Sequence, residues 1–158
     1  MDTDSLVVIR RATIEDWDDA MELAFRVFLK YEAEEYGEEG IKNFAQFITD
    51  EDLKKMFLQG KYLMFVAVIN DKLVGLISLR SGNHISLLFV DEKYHRKGIG
   101  TRLVKHLQEY MLQNTVQHKL TVFASPYGVP FYHKTGFTDT GKETHKDGII
   151  YTPMEFYL

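Results

Sequence analysis

Cysteine is missing from all 158 residues, which removes disulfides, thiolate metal ligands and a cysteine nucleophile at once. Proline occurs only three times, so no proline-rich linker divides the chain. The longest apolar run, YLMFVAVI over residues 62–69, is far shorter than the ~20 residues a membrane-spanning helix needs. The opening MDTDSLVVIRR lacks the basic-then-apolar order of a secretory signal. These absences lead to the expectation of a soluble, cytoplasmic protein without a membrane partner. An excess of basic charge is missing too: 19 Lys and Arg against 23 Asp and Glu give a net charge of −4. Nucleic-acid binders usually carry a strongly basic footprint, so no nucleic-acid partner is expected, although a local basic patch can still hold a small anion. Six histidines are present, but there is no HExxH and no close histidine pair, so no metal site is expected.

What is present is enough for a packed core: 45% of residues are hydrophobic and 27% charged. With no internal repeat, the whole of 1–158 reads as a single domain. A short strand is expected over residues 5–10. Thr13, with Asp16 three residues on, then offers a helix start. Apolar residues at Ile14, Trp17, Met21, Ala24, Phe25, Phe28 and Leu29 give a helix its buried stripe. Helices are also expected over residues 38–48 and 50–58.

The pattern then changes. Two β-rich runs in YLMFVAVINDKLVGLISLR meet at Asn70-Asp71, a hairpin signal. HISLLFV, residues 84–90, is nearly all apolar after Ser86 and predicts a central strand covered on both faces. A helix follows from Gly98 to about Gln113, with Ile99, Leu103, Leu107 and Met111 on one stripe. KLTVFA reads as a strand and VPFYHKTG as a short helix stopped at Gly136. The last stretch reads as two strands around Asp147-Gly148, with Pro153 marking the final one as an edge or bulged strand. The fold class is therefore α/β, a layered domain with a mixed sheet.

One stretch looks wrong as helix design. GIG opens a good amphipathic helix with Gly98 and Gly100, although each glycine costs a helix roughly 1 kcal/mol. His95, Arg96 and Lys97 crowd the same end, where the helix dipole is already positive. Bare backbone amides, a helix N-terminus and basic side chains together suit a phosphate. The Walker pattern fails because Thr101, with no lysine, follows Gly100. The dinucleotide fingerprint fails at Leu103, where glycine or alanine is required. The bland alternative is a glycine cap with solvated charges.

LFVDEKYHRKGIGTRLV resembles the acyl-coenzyme A signature of the GNAT superfamily of N-acetyltransferases, written Arg/Gln-x-x-Gly-x-Gly/Ala. ASPYGVPFYHKTGF, residues 124–137, resembles the superfamily's second motif, which ends in FY…GF. The NDKLVG hairpin and the closing GIIYTPMEFYL fit as well, so the match covers residues 62–158. Residues 1–59 agree only in the order of elements. Two positions depart: His95 stands where the signature has Arg or Gln, and Ser125 stands where an asparagine is common.

The resemblance implies a GNAT-like, mostly antiparallel sheet of about six or seven strands with a splayed parallel pair, flanked by about four helices. It implies acetyl-CoA as cosubstrate, with the pantetheine arm along Leu88, Phe89 and Val90. The pyrophosphate would rest on His95, Arg96, Lys97, Gly98, Ile99, Gly100 and Thr101, with Ser125 and Phe131 beside the cofactor. The implied reaction is direct acyl transfer to an amine, with Tyr132 as the acid for the departing thiolate. A general base is not readable: His84, Ser86, His133, Glu32, Glu35 and a water relay stay open. The acidic run YEAEEYGEEG, residues 31–40, could attract a cationic amine, or be a solvated helix end. The acceptor is expected to be a small-molecule or peptide amine, and superfamily analogy allows a homodimer through the final strands. A non-catalytic acyl-CoA-binding module is the alternative.

Overall fold

The structure is a computed structural model and describes residues 6–158. The first strand, β1 (Val8–Arg11), starts later than expected, and Ser5 lies outside the described residues. After a 3-10 turn in which Asp16 Oδ2 accepts from the Thr13 amide at 2.7 Å, α1 (Trp17–Tyr31) begins. Three more elements complete the first half: α2 (Ala33–Ile48), α3 (Glu51–Leu58) and β2 (Leu63–Ile69). α2 is kinked at Gly37, whose φ of 69° leaves residues 38–48 as the helix that the sequence predicts.

The second half runs β3 (Lys72–Arg80), β4 (His84–Val90), α4 (Ile99–Asn114), β5 (Lys119–Ala124), α5 (Val129–Lys134), β6 (Thr138–Asp139), β7 (Thr144–Lys146) and β8 (Ile149–Tyr157). The strands lie in the order β1-β2-β3-β4-β5-β8-β6, with β7 paired only to β8. Every pairing is antiparallel except β4 with β5. Asn70 and Asp71 both have positive φ, 48° and 63°, as a tight two-residue hairpin turn requires.

Alternate side chains of the sheet feed two cores. Met64, Val66, Leu76 and Leu87 meet α1 through Trp17, Leu23, Val27 and Phe28. Phe65, Ile77, Ile85 and Leu120 meet the α4 stripe of Ile99, Leu103, Leu107 and Met111. The α4 stripe is therefore where its spacing puts it, whereas on the first helix Ile14 and Leu29 of the expected stripe are exposed and Leu23 and Val27 are buried instead. Among the described residues no helix is long and apolar enough to cross a membrane.

Two expectations about the strands need correction. β4 is not covered on both faces: Ile85, Leu87 and Phe89 are buried, while His84, Ser86, Leu88 and Val90 stay half-open. The cause is the sheet itself. β4 pairs with β5 only at His84↔Thr121 and Ile85↔Val122, after which the two strands diverge. The final strand is neither edge nor bulged, since β8 runs in continuous register between β5 and β6. Pro153 fits because its carbonyl, accepting from the Thr140 amide at 2.8 Å, points the way its missing N–H would have pointed, just where β6 ends. The two-residue β6 itself has no hydrophobic pattern to announce it.

Candidate active site

The divergence of β4 from β5 opens a cleft of about 800 Å³. One wall follows from ladder geometry. Antiparallel strands direct backbone groups alternately to either side, and the Asp91 amide bonds to Val74 O of β3 at 2.8 Å. The backbones of Phe89 and Leu87 then face β3, and those of Leu88 and Val90 face the opened side, where β5 has left.

The chain next turns into α4. Asp91 is buried, accepts from the Lys93 amide at 3.0 Å and pairs with Arg26 of α1 at 2.9 Å, which ties the turn to the opposite helix layer. Arg96 and Gly98 adopt left-handed backbone, φ 61° and 80°, and Gly98 caps α4. The first intrahelical bond is Arg102 N to Gly98 O at 3.0 Å, so the amides of Ile99, Gly100 and Thr101 have no helical acceptor. No acidic side chain occupies that first turn. The two glycines serve different purposes. A Cβ on Gly98 would meet nothing within 4 Å, whereas one on Gly100 would lie 3.1 Å from the Phe131 ring of α5. Gly98 supplies the left-handed turn and an open approach; Gly100 lets α5 close on α4.

Leu88, Phe89, Val90, His95, Arg96, Gly98, Ile99, Gly100, Thr101, Ser125, Phe131 and Tyr132 all line the cleft. Lys97 does not: its Nζ lies 5.9 Å from the centre of the Tyr94 ring. His95 lines the cleft but is committed elsewhere, with Nε2 2.6 Å from Val90 O. Its ring also packs on Tyr31, which stacks on Tyr127 across the cleft. Ser125 Oγ accepts from the Gly128 amide at 3.1 Å and so shapes the turn into α5.

Tyr132 is 7% exposed, edge-on to Phe131 and Phe137. Burial, and then the nearby charge of Glu32, push its phenol well above the ordinary range. Glu32, in the bend between α1 and α2, is half-buried in the same cleft and hydrogen-bonds Ser125. Desolvation, opposed by that bond and reinforced by Glu35, raises its carboxyl to about 7.

The other candidate bases fare worse. His84 lines the cleft, but burial and Arg80 hold its imidazole down at about 4. Ser86 Oγ accepts from the Tyr62 hydroxyl at 3.0 Å. His133 lies outside the cleft and pairs with Asp139 at 2.7 Å. Glu35 belongs to a separate small pocket beside the β7–β8 hairpin. Of the five glutamates in residues 31–40, Glu32 alone lines the cleft, and Glu34, Glu38 and Glu39 are exposed. Sequence reasoning missed two lining groups. Arg80, at the end of β3, carries no motif that could have marked it, and Tyr127 lies within the 124–137 stretch but outside its FY…GF pattern.

Comparison with known proteins agrees with this architecture. Residues 32–158 match the family model described as an acetyltransferase (GNAT) domain. The chain is 32% identical over 131 residues to the uncharacterized N-acetyltransferase YafP of Escherichia coli, covering 83% of this chain and 81% of that protein. A GCN5-related N-acetyltransferase from Rhodopseudomonas palustris superposes with a TM-score of 0.81 at 25% identity, over 96% of this chain and 95% of that one. The PaiA N-acetyltransferase of Thermoplasma acidophilum, solved with coenzyme A, gives the same TM-score at 22% identity, over 96% and 99%. The mixed sheet with its splayed parallel pair is thus a shared fold.

Proposed function

The chain belongs to the GNAT acetyltransferase family, and on that footing we propose that it moves an acetyl group from acetyl-CoA to a primary amine by direct attack in a ternary complex. The observation that carries the reading is one cleft holding free helix amides, strand backbone that no neighbouring strand pairs with, Glu32 and Tyr132 together. The free amides at residues 99–101, the α4 dipole and Arg96 suit a pyrophosphate. The outward-facing backbone of Leu88 and Val90 suits a pantetheine arm lying as an added strand. His95, bonded to Val90 O, acts on β4 rather than on the pyrophosphate. The loss of that clamp leaves the anion to backbone and Arg96.

The cosubstrate supplies an activated thioester, and the protein supplies proton management. An alkylammonium near ~10.4 must lose a proton before it can attack. Glu32, raised to about 7, is the base that takes it. A backbone N–H near Val90 polarises the thioester carbonyl. The C–N bond forms, the C–S bond breaks, the Tyr132 phenol passes its proton to the leaving sulfur, and the proton shed by the amide nitrogen restores the phenol. A phenol held protonated by burial is a sound donor here, because a thiolate released into the same dry cleft is also raised.

The test is incubation of the protein with acetyl-CoA and a panel of primary amines, reading free thiol and acetylated product together. Equal amounts of both support the reading. Coenzyme A binding without thiol release from any amine would make the chain a non-catalytic acyl-CoA-binding module.

A further inference from the structure

The acceptor half of the cleft has a chemistry of its own. Around it stand aromatic side chains from α1, α2 and β5: Phe28, Tyr36, Phe44 and Phe123. At its far end, beyond the point where β4 leaves β5, lies Arg80. Its side chain has no hydrogen bond or ion pair among the described residues. Directly across the ladder, in register with Arg80, is His84. Its Nδ1 lies 2.7 Å from Thr121 Oγ1, and its other ring nitrogen has no partner among the described residues. Burial and the Arg80 charge keep that imidazole neutral at pH 7. Among the described residues Glu32 is the one acidic group lining the cleft, and no carboxylate stands beside Arg80 and His84.

We infer that the acceptor carries an anionic group opposite its amine: an apolar body with a primary amine at one end, taken by Glu32, and a carboxylate at the other, taken by Arg80 and His84. This rests on the acetyl-transfer reading above. A guanidinium on the cleft wall with no protein partner is a standing site for a planar carboxylate. A polyamine in the same position would bring a second positive charge against Arg80 with nothing to answer it. The spacing sets the size. From His84 to Leu88 is four residues of strand, at ~3.3 Å each, so the half-open face of β4 along this half of the cleft is about 13 Å long. Short peptides with a free N-terminus and aliphatic ω-amino acids both fit within that length, since an extended tripeptide spans about 10 Å.

The experiment compares matched pairs by kcat/KM with acetyl-CoA. The pairs are a tripeptide with an aromatic middle residue and the same tripeptide as its C-terminal amide, then an ω-amino acid and its amide, with spermidine as the polycation. The expected result is a preference of about tenfold for the carboxylate member of at least one pair, the pair identifying the source of the acceptor. In Arg80→Gln the ratio should fall to about one, with part of it returning in Arg80→Lys. An amide used as well as its acid, a ratio that survives Arg80→Gln, or spermidine outperforming both pairs overturns the inference while acetyl transfer stands. Absence of thiol release from every amine overturns acetyl transfer instead. The same pairs titrated calorimetrically into the protein with coenzyme A then decide the anion site: heat from the acid alone supports it, and equal or no heat overturns it.

Discussion

The two sides of the cleft are built from different material. The α4 side is a continuous piece of chain, residues 88–101, and its chemistry is main chain: outward-facing strand groups at Leu88 and Val90, a left-handed Gly98, and three helix amides without helical acceptors. The opposite side is assembled from side chains on α1, α2, β3, β5 and the start of β8. Backbone donors work whatever side chains surround them, so the first kind of site is fixed in one local motif. The second kind depends on which residues distant elements bring together, and it can change one side chain at a time. One half suits a constant ligand and the other a variable one.

The sharpest way to break that contrast is at the seam between the halves. Tyr132→Phe removes the phenolic proton but leaves the ring packed against Phe131 and Phe137. Steady-state kinetics should show kcat falling by roughly 100-fold or more with the KM for acetyl-CoA little changed. A parallel rise in KM would move Tyr132 into the cofactor half.

Glu32→Gln should come close to that loss. A base works only when deprotonated, so kcat/KM of the wild-type protein should climb as pH rises through about 7, and the variant should lack that limb. Stability should move the other way. A carboxyl raised in the folded state stabilises fully below its unfolded value and loses that contribution as pH rises through about 7, so Glu32→Gln should melt higher than wild type at pH 8. Thermal melts at pH 5 and pH 8 read this directly, and equal differences at the two values would remove the buried-carboxylate argument.

The smallest effect sharpens the contrast from outside. Replacing Glu34, Glu38 and Glu39 together by glutamine should change the acceptor KM by no more than about twofold, because exposed charges are screened within a Debye length. A larger change would show that the acidic run steers the acceptor after all.

The same division explains what could be read before the fold was seen. The α4 stripe, the Asn70-Asp71 turn, the extent of β5 and the glycine-opened helix all rest on local periodicity or turn chemistry, and each lies where the sequence predicts it. Gly100 was legible as unusual but not for its reason, since the Phe131 ring it accommodates lies on another element. Glu32 was one glutamate among five in residues 31–40. Only the bend after α1 singles it out, turning it inward while the other four glutamates of the run meet solvent. Arg80 carries no local signal at all; its meaning comes from standing beside His84 at the closed end of the split between β4 and β5. β4 misled for the same reason. An apolar strand normally means two covered faces, and here one is left half-open by the divergence of its neighbour.

The central claim is that main-chain amides at the start of α4 hold the cosubstrate's pyrophosphate, and isothermal titration of coenzyme A into wild-type protein and Gly98→Val tests it most directly. Gly98 has φ 80° and open space before it, so a branched side chain there both strains the turn and stands over the amides. The account predicts saturable heat with the wild type and affinity at least about tenfold weaker in the variant. No heat with the wild type, or equal affinity in a variant that folds normally, would contradict it.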